Sequence, residues 1–250
     1  MKKAALQFLV ALALFAGVWF ALSHIDFTGG RSLETPGIEA REKIGAILFR
    51  HLEAQFPSSQ NDSLLALLDE THHNLCHANG IDPASIEVHL LENPAVNAVA
   101  LPGRRIVFFT GLTDMFDHPG ELAGVLAHEI AHIEENHVHD RMNREVGISV
   151  MLTISGLDGA PEAIANLMRI INSSAYSRSQ EREADNMAVT YLREAEIDPV
   201  HLANLLLRLS AEQRRDQARV PDWIRSHPDP RHRAETIFNQ LEITPDDGQP

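Results

Sequence analysis

Two histidines flank a glutamate in the run HEIAH, His128 to His132, set in the apolar stretch that begins at Glu121 (ELAGVLAHEIAHI). On an α-helix, residues four apart lie one turn apart on one face. Both imidazoles can then reach a single zinc ion, and the carboxylate of Glu129 stands beside them to handle a proton. That combination is the core of metal-assisted peptide hydrolysis. With 14 histidines and 20 glutamates in 250 residues, composition alone yields roughly 0.06 such matches by chance, so the surroundings must carry weight. Leu122, Val125, Leu126, Glu129, Ile130 and Ile133 recur at spacings of three and four, and neither Pro nor Gly interrupts Val125 to His139. The spacing predicts one helix through the motif.

A hydrolytic zinc site takes three protein ligands and keeps a fourth position for water. Downstream, Ser177 to Asp185 (SRSQEREAD) reads as a polar helix start running into an amphipathic helix with Ala184, Met187, Ala188, Tyr191 and Leu192 inward. Glu181 and Asp185 are four apart and share a face. Glu181 is the candidate third ligand, and Asp185 can accept the second ring N–H of a ligating histidine and fix its tautomer. Glu183 points elsewhere and is the poorer candidate.

These runs, together with Asn97 to Gly103 (NAVALPG) and Phe109 to Leu112 (FTGL), fall in the order of a known family. The chain resembles the HtpX and CAAX-prenyl-protease-like zinc metallopeptidases, the gluzincins of peptidase class M48, over roughly residues 86–241. The resemblance implies His128, His132 and Glu181 as ligands of one zinc ion per chain, Glu129 as general base and Asp185 in support. Ser226 to Arg233 (SHPDPRHR) is similar to the family's C-terminal His-Pro segment, with an arginine six residues on. By that resemblance the segment folds back to the active site, where His227 approaches metal or substrate and Arg233 stabilises developing negative charge. The alternative is that His227 ends a loop and Arg233 makes a surface ion pair of little energetic weight.

The positioning elements are short. The runs 85–91, 96–101 and 105–110 are β-prone and are split by Asn93-Pro94 and Pro102-Gly103, which predicts a small antiparallel sheet. An exposed edge can take up an extended peptide by strand addition, and the resemblance makes Asn97, Ala98, Val99 and Ala100 that edge; ordinary sheet is the competing reading. Helices are expected near 37–56 and 61–79, at Leu112 to Phe116, and at about 179–195, 199–215 and 230–241. Between the two metal-bearing helices lie apolar stretches, Val146 to Leu157 and Ala163 to Ile171, whose longest run of about twelve residues is too short to span a bilayer. They read as core helices, with a mobile cover over the cleft as the alternative. The fold class expected is α+β, mainly helical and zincin-like, preceded by one membrane helix.

That membrane helix is Ala4 to Leu22, nineteen residues with Gln7 as their one polar member, after the basic pair Lys2 and Lys3. The length suffices for a bilayer core of about 30 Å, and the charges predict a cytoplasmic N-terminus with the remainder exported. A signal peptide cut near Ser23 is the competing reading. Residues 1–22 are thus anchor or signal peptide, 23–36 a tether, 37–243 the metallopeptidase domain and 244–250 a disordered acidic tail. Either route places the domain in the bacterial cell envelope, in the periplasm or outside the cytoplasmic membrane.

Composition excludes more than it specifies. A formal net charge of −14 argues against a nucleic-acid surface and against attraction to anionic lipid. The single cysteine, Cys76, permits no intramolecular disulfide and falls on the amphipathic run after Leu64, where it reads as core. His137 and His139 read as solvated or capping residues, and His73 with His77 as a weak i,i+4 metal clip that no carboxylate or cysteine with ligand spacing accompanies. Two functions follow. One is a zinc endopeptidase acting on protein or peptide substrates at the envelope, for which the resemblance suggests quality control. The other is a latent or chaperone-like zinc-binding factor whose metal site is blocked by His227.

Overall fold

The computed structural model describes residues 37–146, 161–215 and 220–243. The expected anchor or signal peptide, the tether, most of the first apolar stretch and the acidic tail lie outside the described residues. Among the described residues no helix is long and apolar enough to cross a membrane.

Two helices, α1 (Ile38–Gln55) and α2 (Asp62–Ala78), lead into β1 (Glu87–Leu91), β2 (Ala98–Leu101) and β3 (Arg105–Phe109). The short α3 (Thr110–Thr113) follows, then α4 (Pro119–Glu134), which carries HEIAH, and α5 (His137–Val146). Next come α6 (Pro161–Ser173), α7 (Arg178–Glu194), α8 (Val200–Arg215), the short α9 (Asp222–Ser226) and α10 (Pro230–Gln240).

The sheet is mixed, in the order β1-β3-β2, which corrects the antiparallel expectation. β2 and β3 form an antiparallel hairpin, with Leu101 opposite Arg105 and Ala98 opposite Phe108. Its tight turn uses the left-handed backbone of Gly103 and Arg104, at φ 70° and 57°. The link from Glu92 to Asn97 reverses the chain, and the hairpin brings β3 in beside β1 with their directions parallel and Leu90 opposite Phe108. A β-prone run shows which residues share a face, but not the direction of its partner.

Alternation divides the sheet's two faces. Leu90, Ala98, Ala100, Ile106 and Phe108 join Leu122, Val125, Leu126 and Ile130 of α4 in one core, to which α2, α7, α8 and α10 contribute. Leu91, Val99, Leu101, Val107 and Phe109 meet Ile44, Ile47, Leu48 and Leu52 of α1 and Leu167 and Met168 of α6 in a second. Covered on both sides, β2 is buried along its whole length although it is an edge strand. The HEIAH helix α4 is therefore pressed against sheet, α7 and α8 at once. Gly124 marks one close approach, since a Cβ there would lie 2.8 Å from that of Leu202.

The expected uninterrupted helix through Val125 to His139 is also corrected. It breaks after Glu134, with Asn136 at φ 59°, and α5 starts at His137. Asparagine enters the left-handed region at low cost, so a helix can end there without Gly or Pro.

Candidate metal centre

Each arm of the site is held by its own helix start. His118 caps α4, its Nδ1 accepting from the Gly120 N–H at 2.9 Å, with Pro119 next in the first turn. Glu121, also in that turn, accepts two hydrogen bonds from Arg208 of α8, at 2.6 and 2.7 Å. Ser177 opens α7 with a capping box: the Gln180 N–H donates to the Ser177 hydroxyl, and the Ser177 N–H donates to the Gln180 side chain. One turn in from these caps, Glu181 faces α4.

His128, His132, Glu181 and His227 are all buried and present donor atoms that lie within 4.8 Å of one another. Nε2 of His128 and Nε2 of His132 are 3.1 Å apart. Two nitrogens bound to one tetrahedral zinc at about 2.0–2.1 Å stand about 3.3–3.4 Å apart, so the pair is spaced as co-ligands are. Glu181 Oε1 lies 3.4 Å from His132 Nε2, and Glu181 Oε2 lies 3.7 Å from His128 Nε2. His227 Nδ1 is 3.2 Å from His128 Nε2 and 3.0 Å from Glu181 Oε1, so it sits inside the donor set. Burial pulls His132 well below the ordinary imidazole range, with the neighbouring His128 adding to the effect against the opposing Glu181. Burial likewise lowers His227. Neutral imidazole is the ligand form. Burial alone would raise Glu181, yet the Arg233 charge outweighs it and holds the carboxyl well below its usual range. Imidazole nitrogens and a carboxylate held below its usual range, converging at a buried point, fit a zinc ion.

Around this set the structure places Asp185 and Arg233. Asp185 Oδ1 is 3.1 Å from His128 Nδ1, the nitrogen turned away from the cluster. Arg233 donates Nε to Asp185 Oδ2 at 2.8 Å and Nη2 to Oδ1 at 2.7 Å, while its Nη1 pairs with Glu181 Oε2 at 2.6 Å. Buried to 5% exposure, it spans both carboxylates of α7 rather than making a surface pair. Burial pushes Asp185 up and the Arg233 charge more than reverses it, leaving the acid below its ordinary value.

Glu129 is fully buried on the same helix. Its Oε1 accepts from Trp223 Nε1 at 3.1 Å and lies 3.4 Å from His227 Nε2, while Oε2 has no hydrogen-bond partner among the described residues. Asn97, just before β2, and Ala98 to Ala100 within it lie at the sheet's β2 edge, but all four are buried, which corrects the expectation of an exposed edge. Just before it, the Val96 carbonyl accepts from the Trp223 backbone N–H at 3.1 Å.

Sequence reading missed three residues. Trp223 sits on a helix of five residues, too short to show a period. Tyr176 stacks on the His132 ring at 3.8 Å, from a loop with no pattern of its own. His137, expected in solvent or as a cap, is buried with its Nδ1 3.0 Å from His132 Nδ1; the turn at Asn136 swings it back. Cys76 is core as expected, its thiol pushed up by burial to about 11. His73 and His77 belong to no cluster of three donors among the described residues.

A buried His-His-Glu set on two facing helices, with a glutamate between the histidines in sequence, has the make-up that a metallopeptidase centre requires. The model of peptidase family M48 matches residues 65–240, and this chain belongs to that family of zinc metallopeptidases. It is 27% identical over 242 residues to the beta-barrel assembly-enhancing protease of Yersinia pestis, a match covering 90% of this chain and 48% of that protein. It is 24% identical over 219 residues to the protein of the same name from Escherichia coli K12, covering 82% and 45%. To the mitochondrial metalloendopeptidase OMA1 of Arabidopsis thaliana it is 30% identical over 130 residues, 52% of this chain and 26% of that one. The chain thus spans about half or less of the length of these curated relatives.

Proposed function

We propose that the chain is an endopeptidase of the bacterial cell envelope that hydrolyses peptide bonds in misfolded or unassembled proteins, with one zinc ion held by His128, His132 and Glu181. The observation that carries this reading is the convergence of those three donors beside Glu129, whose Oε2 has no hydrogen-bond partner among the described residues. Bound zinc would supply a water activated to a pKa of about 7 and polarisation of the scissile carbonyl. Glu129 takes the proton of the attacking water at Oε2 and returns it to the departing amine. Asp185 accepts the Nδ1–H of His128 and so directs Nε2 into the cluster, and Arg233 holds the carboxylates of Asp185 and Glu181 in register. Asn97 to Ala100, buried as they stand, offer an extended substrate a strand edge beside the HEIAH helix once that edge is uncovered. The envelope setting rests on the apolar segment Ala4 to Leu22 behind two lysines.

A second reading is favoured by one feature. The segment from Trp223 to His227 fills the cleft: His227 stands among the donors, Trp223 Nε1 occupies Glu129 Oε1, and the Trp223 N–H takes the carbonyl next to the β2 edge. This is a latent enzyme, closed by a fourth protein donor where a hydrolytic site keeps room for water. Cleavage of unfolded casein by the purified full chain, with zinc content measured alongside, tests both readings. Chelator-sensitive cleavage that disappears together with zinc in His128→Ala supports the endopeptidase. Cleavage released by His227→Ala supports latency, and zinc-loaded protein inert in both parent and His227→Ala refutes the enzyme.

A further inference from the structure

The two candidate metal histidines are backed by different partners. His128 gives its outward nitrogen to the buried carboxylate of Asp185. His132 turns its outward nitrogen to another imidazole, with His132 Nδ1 and His137 Nδ1 3.0 Å apart. His137 Nε2 in turn lies 3.3 Å from Glu183 Oε2. His137 is 3% exposed, whereas the Glu183 side chain is 55% exposed.

The direction of this chain follows from valence. A His132 that ligates through Nε2 carries its proton on Nδ1 and is a donor there. His137 Nδ1 must then be the acceptor, which places the His137 proton on Nε2, facing the Glu183 carboxylate. The bend at Asn136, φ 59°, makes the contact possible. On an uninterrupted helix a residue five positions after His132 would be rotated about 140° from it. Tyr176, stacked on His132 with 15° between the planes, fixes the same ring from its face.

We infer that His137, backed by Glu183, is a positioning residue for the metal centre: it accepts the Nδ1–H of His132 and thereby holds Nε2 of His132 toward the ion. This rests on the reading of His132 as a zinc ligand. It also gives Glu183, the glutamate of α7 that points away from the cluster, a part in the site.

The test is zinc affinity of the full chain, measured by competition with a chromophoric chelator, with melting of the metal-free protein as the fold control. His137→Leu removes the acceptor and is expected to weaken zinc binding 10- to 100-fold, the usual scale for losing a ligand's hydrogen-bond partner. His137→Asn places an amide Oδ1 where Nδ1 stood and is expected to stay within about threefold of the parent, with a cobalt-substituted visible spectrum like the parent's. A merely structural role would not separate the two. His137→Leu within twofold of the parent, or Asn as damaging as Leu, overturns the inference. Should His137→Leu fail to fold, Glu183→Leu at its half-exposed position takes its place, expected to be several-fold weaker, with unchanged affinity counting against the inference. His132→Ala is run in parallel. Unchanged affinity there overturns the ligand reading itself, whereas loss in His132→Ala with none in His137→Leu overturns only the positioning role.

Discussion

Replacing Arg233 with methionine probes the centre without touching a metal donor. The guanidinium is 5% exposed, donates twice to Asp185 and pairs with Glu181. Burial alone would pull its pKa down, and the carboxylates of Asp185 and Glu181 outweigh that and hold it above its ordinary value. Methionine retains much of the volume and removes the charge, leaving two buried carboxylates facing each other. Breaking a buried pair by removing one partner costs about 3–5 kcal/mol. In a domain of this size each kcal/mol moves Tm by about 2–4 °C, so the metal-free variant should melt roughly 6–20 °C below the parent. The assay is thermal and urea unfolding followed by circular dichroism, with and without zinc. Zinc should narrow the gap, because a divalent cation at the cluster offsets the charge of Glu181. A Tm within 2 °C of the parent in the metal-free state would refute the claim that Arg233 neutralises this carboxylate pair.

Other outcomes follow from the same structure. Glu121 is pushed up by burial, but its bonds to Arg208 more than reverse this and leave it below the ordinary value. A depressed carboxylate contributes stability above its unfolded pKa of about 4.3 and loses it as pH falls through the folded value. Arg208→Ala should therefore cost about 2–3 kcal/mol at pH 7, discounted for the guanidinium's partial exposure, and the deficit should shrink in urea titrations below about pH 4. Gly124→Ala gains about 1 kcal/mol of helix propensity but forces the new methyl against Leu202, 2.8 Å away. With overpacking at about 1–3 kcal/mol, a net loss of Tm is expected. Free zinc at 100 times its Kd should stabilise the fold by about 2.7 kcal/mol, read as a chelator-reversible rise in Tm that His128→Ala abolishes.

Much of this was legible in the residues, for identifiable reasons. Amphipathic period placed α1, α2, α7, α8 and α10 within a residue or two of their observed ends, because each buries one apolar stripe. His128, His132 and Glu181 could be paired in advance because i,i+4 geometry is local and the family pattern joins the two helices. What the residues did not disclose was set by tertiary contacts. Strand direction depends on where the β2–β3 hairpin docks, not on the composition of β1. The break at Asn136 needs one left-handed residue, and a single asparagine, unlike Gly or Pro, does not by itself mark a helix end in the sequence. His137, Tyr176 and Trp223 reach the centre from just after a turn, from a loop and from a five-residue helix, none of which carries periodicity.

The most direct measurement compares Glu129→Gln with its parent, each also in the His227→Ala form, for zinc content and casein cleavage. The account predicts equal zinc in all four proteins, cleavage in at least one parent form, and its loss by a factor of 100 or more in the matching Gln variant, about the scale of one proton-transfer group. Cleavage undiminished in a Gln variant that carries zinc would contradict it.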